Sequence, residues 1–384
     1  MATTSHVQPP SASSPPPAHP TPPPSTADAT PTTTAPTTTS TPTTPSTATP
    51  DRSLYRSRAI GLFLIFVALL AALLASLAFG ANPLSFQQVW QGLWHPDSSE
   101  ASLIVWTLRV PRTVLGVLAG MAFGVAGALI QALTRNPLAD PGILGVNAGA
   151  GFAVTLGVGL LGVTSASSYM WYAFIGAAAA TILVYLIGSA GHGSATPITL
   201  VLAGVALSAV LTGFSTFLTL MDEDTFRSIR MWGLGSIANT GLEETWTVTP
   251  FLLTGLLIAV MLSGALNSIA LGDDLAASLG TNVTRTRVFG VIAVTLLAGG
   301  ATALTGGIGF VGLMIPHVVR WFTGPDQRWI VLYSALAAPV LVLVSDVIGR
   351  VIGSPGEIEV GIVTAVIGAP VLIALVRRRK ASGL

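Results

Sequence analysis

The sequence predicts an all-α integral membrane protein of ten transmembrane helices, on three observations. Of its 384 residues, 51% are hydrophobic and only 9% charged, against about 25% charged in soluble domains; mean hydropathy is +0.73. Ten apolar windows approach the length of about 20 residues that crosses a hydrocarbon core. With an even number of spans both termini share one face. That face then holds twelve basic residues, and the other holds five: Arg109, Arg112, Arg227, Arg230 and Arg350. This asymmetry predicts cytoplasmic termini.

Taken in order, residues 1–50 form a segment of their own. Thirty-seven of the fifty are Pro, Ser or Thr, and 14 of the chain's 26 prolines lie there. With almost nothing apolar to bury, the segment reads as a disordered cytoplasmic tail. It lacks the layout of a signal peptide, and a dispensable tail or an over-long start explains it more simply than a partner-binding arm.

The membrane domain, 51–384, opens with span 58–80, flanked by Arg56 and Arg58. Span 110–133 follows LRVPR (108–112) and carries GVLAGMAFGVAGA (116–128), small residues that let helices approach closely. It ends at a polar turn broken by proline (Arg135, Asn136, Pro137, Asp140, Pro141), before span 142–162. Spans 169–190, 197–219 and 246–266 come next, the last two separated by an acidic stretch from Asp222 to Glu244. Spans 286–305 and 307–322 meet at a glycine cluster, 305–312; no strand precedes it and no basic residue follows nearby, so it reads as helix packing and not a phosphate cradle. Span 307–322 is short and contains Pro316. Span 330–349 ends at Arg350, and 360–376 runs into RRRK.

Composition also excludes functions. The absence of cysteine removes disulfides, thiolate metal sites and thiol nucleophiles. The single lysine, Lys380, is followed by Ala381, so the chain has no Gly-Lys-Ser/Thr loop and is not itself an ATPase. The net charge of +1 gives no sign of nucleic-acid binding. An ion-coupled secondary transporter needs ionisable groups inside the membrane. The nearest candidates, His317 and Asp346, fall near span ends, and His317 reads as a helix-end residue bonded to backbone or interface water. No cluster at catalytic or metal-ligand spacing supports a membrane enzyme. An energy source outside the chain is the better expectation.

Two constellations remain. At the outer face Arg109 and Arg112 lie one turn apart at the mouth of the second span, and Arg350 ends the ninth. Guanidinium groups suit bidentate capture of a docking protein's carboxylates; snorkelling, or local pairing with Glu100, Glu357 or Glu359, is the competing reading. At the inner face, within 266–287, Asp273 can cap a short helix through Asp274, Leu275, Ala276 and Leu279, with Leu275 and Leu279 on one face and Gly280 as its stop.

The blocks LRVPR, RNPLADPGILG (135–145), LAGVALS (202–208), MWGLGS (231–236), the LG-x-x-x-A-x-x-LG element (271–280), GGIGFVGLMIPHVVR (306–320), SDVIGR (345–350) and GIVTAVIGAP (361–370) stand in an order that resembles the FecCD-type permeases of iron-siderophore and vitamin B12 importers. The resemblance covers 58–378. It implies a ten-helix permease that dimerises with a like or unlike second subunit in a bacterial plasma membrane, its substrate path between the two. Two cytoplasmic ABC ATPase subunits would use the ATP and dock on 271–280 (Asp273, Asp274, Leu275, Ala276, Leu279, Gly280). An extracytoplasmic binding protein would meet Arg109, Arg112 and Arg350. The implied cargo is a ferric siderophore, with cobalamin or haem as alternatives, and no cofactor is implied on this chain. Two positions depart from the family pattern: Gln327 before Arg328, where His is common, and Glu359, where Pro is common.

Overall fold

The computed structural model describes residues 52–379 apart from 81, 164, 191–195 and 239. The Pro/Thr/Ser tail and Lys380 lie outside the described residues, as does the end of the RRRK run. Among the described residues every regular element is helical.

α1 spans Arg52–Ala78. α2 (Phe86–Trp94) begins with a reciprocal cap between Ser85 and Gln88. α3 (Glu100–Ile104) continues through a π-helical turn, Val105–Arg109, into α4 (Val110–Thr134). That turn has a chemical cause. Pro111 has no N–H for the carbonyl four residues back, and the ladder widens ahead of it: the Val110 N–H donates to the Val105 carbonyl, five residues back. α4 ends at Arg135, whose φ of 50° lets the Asn136 N–H close on the Gln131 carbonyl at 3.1 Å; Pro137 then prevents continuation.

After a 3-10 turn (Pro141–Leu144) come α5 (Val146–Leu161), α6 (Ala166–Ser189) and α7 (Pro197–Met221). Asp222 caps α8 (Glu223–Gly233). α9 (Leu242–Ile269) precedes the short α10 (Asp273–Ser278). α11 (Val283–Val294) and α12 (Gly300–Thr305) join through a second π-helical turn. α13 (Val311–Thr323), α14 (Gln327–Ile352) and α15 (Val360–Arg379) are the last of the described helices.

Among the described residues, seven helices are long and apolar enough to cross a membrane: Arg56–Ala78, Glu100–Thr134, Ser167–Ser189, Pro197–Met221, Leu242–Ile269, Val283–Thr305 and Gln327–Ile352. The other three windows hold shorter helices, Val146–Leu161, α13 and Val360–Ala374. Of the ten spans expected from hydropathy, seven are therefore long helices and three coincide with shorter ones, 307–322 among them. The cause is clearest at 307–322. α12 stops at Gly306 (φ 69°) and α13 starts only after Phe310, itself at φ 67°. The backbone between them is held by protein. The Ser236 N–H donates to the Thr305 carbonyl at 2.7 Å, and a Cβ on Gly306 would run into the Trp232 carbonyl. Non-helical backbone survives at membrane depth where protein buries it.

The most deeply buried long helix is the one containing α4. Its apolar window is 78% buried, against 17% for α1 and α7. Its glycines explain how α14 comes so close. A Cβ on Gly120 would stand 2.6 Å from the Pro339 Cα, and one on Gly124 would stand 2.7 Å from the Ser334 carbonyl oxygen. Gly127 lies as close to the backbone of Gly312 on α13. The small residues read from the sequence as packing residues therefore form a backbone-to-backbone seam.

Gly120→Leu drives a side chain into the α14 backbone, an overpacking that costs about 1–3 kcal/mol or more. We expect a lower thermal midpoint for the detergent-solubilised protein. Gly233→Ala, where nothing lies within 4 Å, leaves that midpoint unchanged.

Candidate functional site

The two ends of α4 carry the two constellations. At the first, α1 ends without a basic residue in its last turn, so its last carbonyls must find donors elsewhere. They find guanidinium groups. Arg109 Nη1 donates to the carbonyls of Leu77 (2.6 Å) and Ala78 (2.9 Å), and its Nη2 donates to the Asn82 carbonyl (2.7 Å). Arg350 Nη1 donates to the carbonyls of Ser76 (3.1 Å) and Phe79 (2.8 Å). Ser76 Oγ also meets Thr113 Oγ1 at 2.7 Å, and Thr113 in turn donates to the Arg109 carbonyl. Cations at a helix C-terminus also complement its dipole. Arg109 and Arg350 are only 3% and 2% exposed.

Arg112 takes a different partner. It holds Glu357 through both nitrogens, Nη1 to Oε1 at 3.2 Å and Nη2 to Oε2 at 2.5 Å. Its Nε lies 3.8 Å from Asp346 Oδ1, while Asp346 Oδ2 pairs with Arg350 Nη2 at 2.6 Å. The local-pairing reading thus holds for Arg112, through Glu357 and not Glu100. Asp346, expected near a span end, is buried within α14 as the shared acid of two arginines. Among the described residues, the ion pairs of Arg112 and Arg350 run to Asp346 and Glu357 and none runs to the departing residue Glu359. The three arginines and Glu357 line a cleft of about 220 Å³ with Gly80, Asn82 and Ala238. Arg112 and Arg350 share the carboxylates of Asp346 and Glu357, while Arg109 is spent on backbone carbonyls. The Glu357 carboxyl is held below its usual range chiefly by hydrogen bonds from Arg112.

At the other end, α10 is a short helix, as expected, and Gly280 (φ 82°) stops it. Its cap differs from the expectation. Gly272, at φ 111°, occupies the N-cap, which puts Asp273 in the first turn. There the carboxylate bridges two arginines: Oδ2 accepts from Arg287 at 2.7 Å, and Oδ1 lies 3.5 Å from Arg135. Asp273 therefore ties α10 to α11 and to the turn that closes α4. Ala276 is buried, while Leu275 and Leu279 are 57% and 65% exposed, and Leu271, 60% exposed, lies just before the helix. Asp274 begins the helix beside Asp273, and its carbonyl accepts from Ser278.

His317 lies within α13 and not at its end; its Nδ1 is 3.3 Å from the Pro137 carbonyl, so it is bonded to backbone. Sequence reasoning missed Ser76 and Thr113, because neutral hydroxyls in apolar spans carry no pattern. It also missed the use of Arg109 and Arg350 as caps for another helix. The one available signal was that α1 ends in SLAFGAN, which carries no basic residue.

The family model of the FecCD transport family matches residues 68–378. The chain is 47% identical over 328 residues to the ferric enterobactin transport system permease protein FepD of Escherichia coli (strain K12), covering 85% of this chain and 98% of that one. It is 36% identical to the probable siderophore transport system permease protein YfiZ of Bacillus subtilis (strain 168), over 82% of this chain and 94% of the relative. It is 33% identical to the hemin transport system permease protein HmuU of Yersinia pestis, over 84% and 96%. A solved inward-facing conformation of a putative metal-chelate type ABC transporter superimposes with a TM-score of 0.73 at 27% identity, covering 83% of this chain and 99% of that one.

Arg109→Gln leaves carbonyls at the end of α1 without donors, at about 1–3 kcal/mol for each. A drop in thermal midpoint larger than that of Arg112→Gln is expected, because Arg112 holds the partly exposed Glu357. The Glu357–Arg112 pair also gives a pH dependence. A carboxyl whose folded value is depressed contributes stability that is fully present above the ordinary value of 4.5 and is lost as pH falls through the depressed one. Thermal midpoints measured from neutral to acid pH should therefore fall less for Glu357→Gln than for the unaltered protein.

Proposed function

The chain belongs to the FecCD transport family, and on that premise we propose that it is the membrane permease subunit of an ATP-binding-cassette importer that moves a ferric siderophore across a bacterial plasma membrane. The observation that carries the cargo is the near full-length similarity to the ferric enterobactin permease. Haem is the second reading, supported by the similarity to the hemin permease. Family membership sets aside the ion-coupled transporter. The three short helices complete ten crossings in this proposal, with both termini cytoplasmic and a second permease subunit, like or unlike, forming the path.

The energy source follows from what the chain lacks. Without a phosphate loop of its own, it relies on two ATPase subunits. The exposed Leu275 and Leu279 at α10 are the surface offered to them, and Asp273 transmits their movement to α4 and α11 through Arg135 and Arg287. Substrate arrives on an extracytoplasmic binding protein whose carboxylate enters the cleft of Arg109, Arg112 and Arg350. Two of these arginines are committed to the end of α1, so the exchangeable one is Arg112. Docking is then a carboxylate exchange, in which the partner's acid replaces Glu357. Alternating access follows as nucleotide binding and hydrolysis move α10.

The test is uptake of ferric enterobactin into proteoliposomes holding the permease and its ATPase subunits, with binding protein added outside. Uptake should require ATP and binding protein. Arg112→Glu should abolish docking while membrane insertion persists, and Glu357→Gln should tighten it. Leu275→Ala with Leu279→Ala should uncouple ATP hydrolysis from uptake. Uptake driven by an ion gradient without nucleotide would sink the importer; weaker docking by Glu357→Gln would remove the exchange.

A further inference from the structure

α2 divides its surface into three strips. Val89 and Gly92 are buried. A Cβ on Gly92 would stand 3.1 Å from the Ser102 Cα of α3, and Trp106 Nε1–H donates to the Gly92 carbonyl at 2.9 Å, so the helix is fixed in place. Gln87, Gln88 and Gln91 form an exposed amide strip. Between the two lie Phe86, Trp90 and Trp94, 70%, 54% and 62% exposed. Spaced four residues apart, they share one face. Their rings stand in a row, with centroids 6.4 Å and 5.8 Å apart.

From this three-way division we infer that α2 is a membrane-interface helix, its aromatic row bedded at the boundary of lipid headgroups and acyl chains and its glutamines turned to water. A helix with one side on protein needs one further apolar strip and one wet strip to lie in that position. Tryptophan is enriched at that depth because its ring is apolar while its N–H can stay wet, and amphipathic helices sit about 5–10 Å into the boundary. Lipid is the occupant because α2 packs against α1, whose apolar window is only 17% buried and which leaves Phe66, Leu70 and Leu74 exposed, with Phe79 exposed just after it. The segment FQQVWQGLW carries no charge with which to grip the acidic or basic face of a docking protein. Its bond to Trp106, inside the π-helical turn that ends at Arg109, lets the bilayer surface set the depth of the arginine cluster. The inference depends neither on the cargo nor on which face is cytoplasmic.

The experiment compares the full permease with Trp90→Phe/Trp94→Phe, which keeps the row apolar and removes two fluorophores. Both are reconstituted in phosphatidylcholine vesicles brominated either high on the acyl chain or near its end. The difference in emission between the two proteins reports Trp90 and Trp94. It should be blue-shifted, quenched strongly by the shallow bromine, weakly by the deep bromine, and not by aqueous iodide. Quenching by iodide with none from bromolipid would overturn the inference. So would iodide quenching that disappears only when binding protein is added, since the row would then face a protein partner. If the double variant fails to insert, the single variants Trp90→Phe and Trp94→Phe give the same reading one ring at a time.

Discussion

The end of α1 is the constraint around which the arginine cluster is arranged. A helix leaves its last carbonyls without intrahelical donors, and α1 brings no basic side chain of its own to them. Arg109, from the start of α4, and Arg350, from the end of α14, supply the donors. Much else follows from that arrangement. The π-helical turn precedes Pro111 and ends at Arg109. Gly80 has no side chain, and a Cβ there would stand 3.1 Å from Arg109 Nη2. Asp346 lies between Arg112 and Arg350, so three cations can share one small space. Buried charges persist only where pairing and hydrogen bonds offset their desolvation, and here both are present.

Local chemistry was legible in the sequence, and distant pairing was not. The stop of α4 at the Arg-Asn-Pro turn, the stop of α10 at Gly280 and the packing role of Gly120 and Gly124 each follow from one residue type and its neighbours. The role of Arg350 does not, because its carbonyl partners lie more than 270 residues away and no periodicity records such a meeting. Asp273 is a mixed case. Its short helix was readable, but its choice of arginines over the cap depended on Arg135 and Arg287 arriving from other helices. The hydropathy of 307–322 concealed the break at Gly306–Phe310, since an apolar residue reads alike in a helix and in a buried loop.

α4 joins the two constellations. Its 25 residues span about 37 Å at the rise of an α-helix, from the arginine cluster to the turn that Asp273 holds. Along that length the seam with α14 is built of backbone and small side chains, so specific polar bonds are concentrated at the two ends. The fold thus keeps a nearly uncharged middle and puts its recognisable chemistry at the membrane faces.

The capping of α1 also has a consequence for how the chain is tied together, because its donors come from the turn that enters α4 and from α14. Arg109 arrives within about thirty residues of Leu77, whereas Arg350 follows Phe79 by 271 positions. One helix end is therefore fastened twice, once by a neighbour close in sequence and once by a residue from the far end of the membrane domain, so the seat of α1 registers the placement of α14 as well as that of α4.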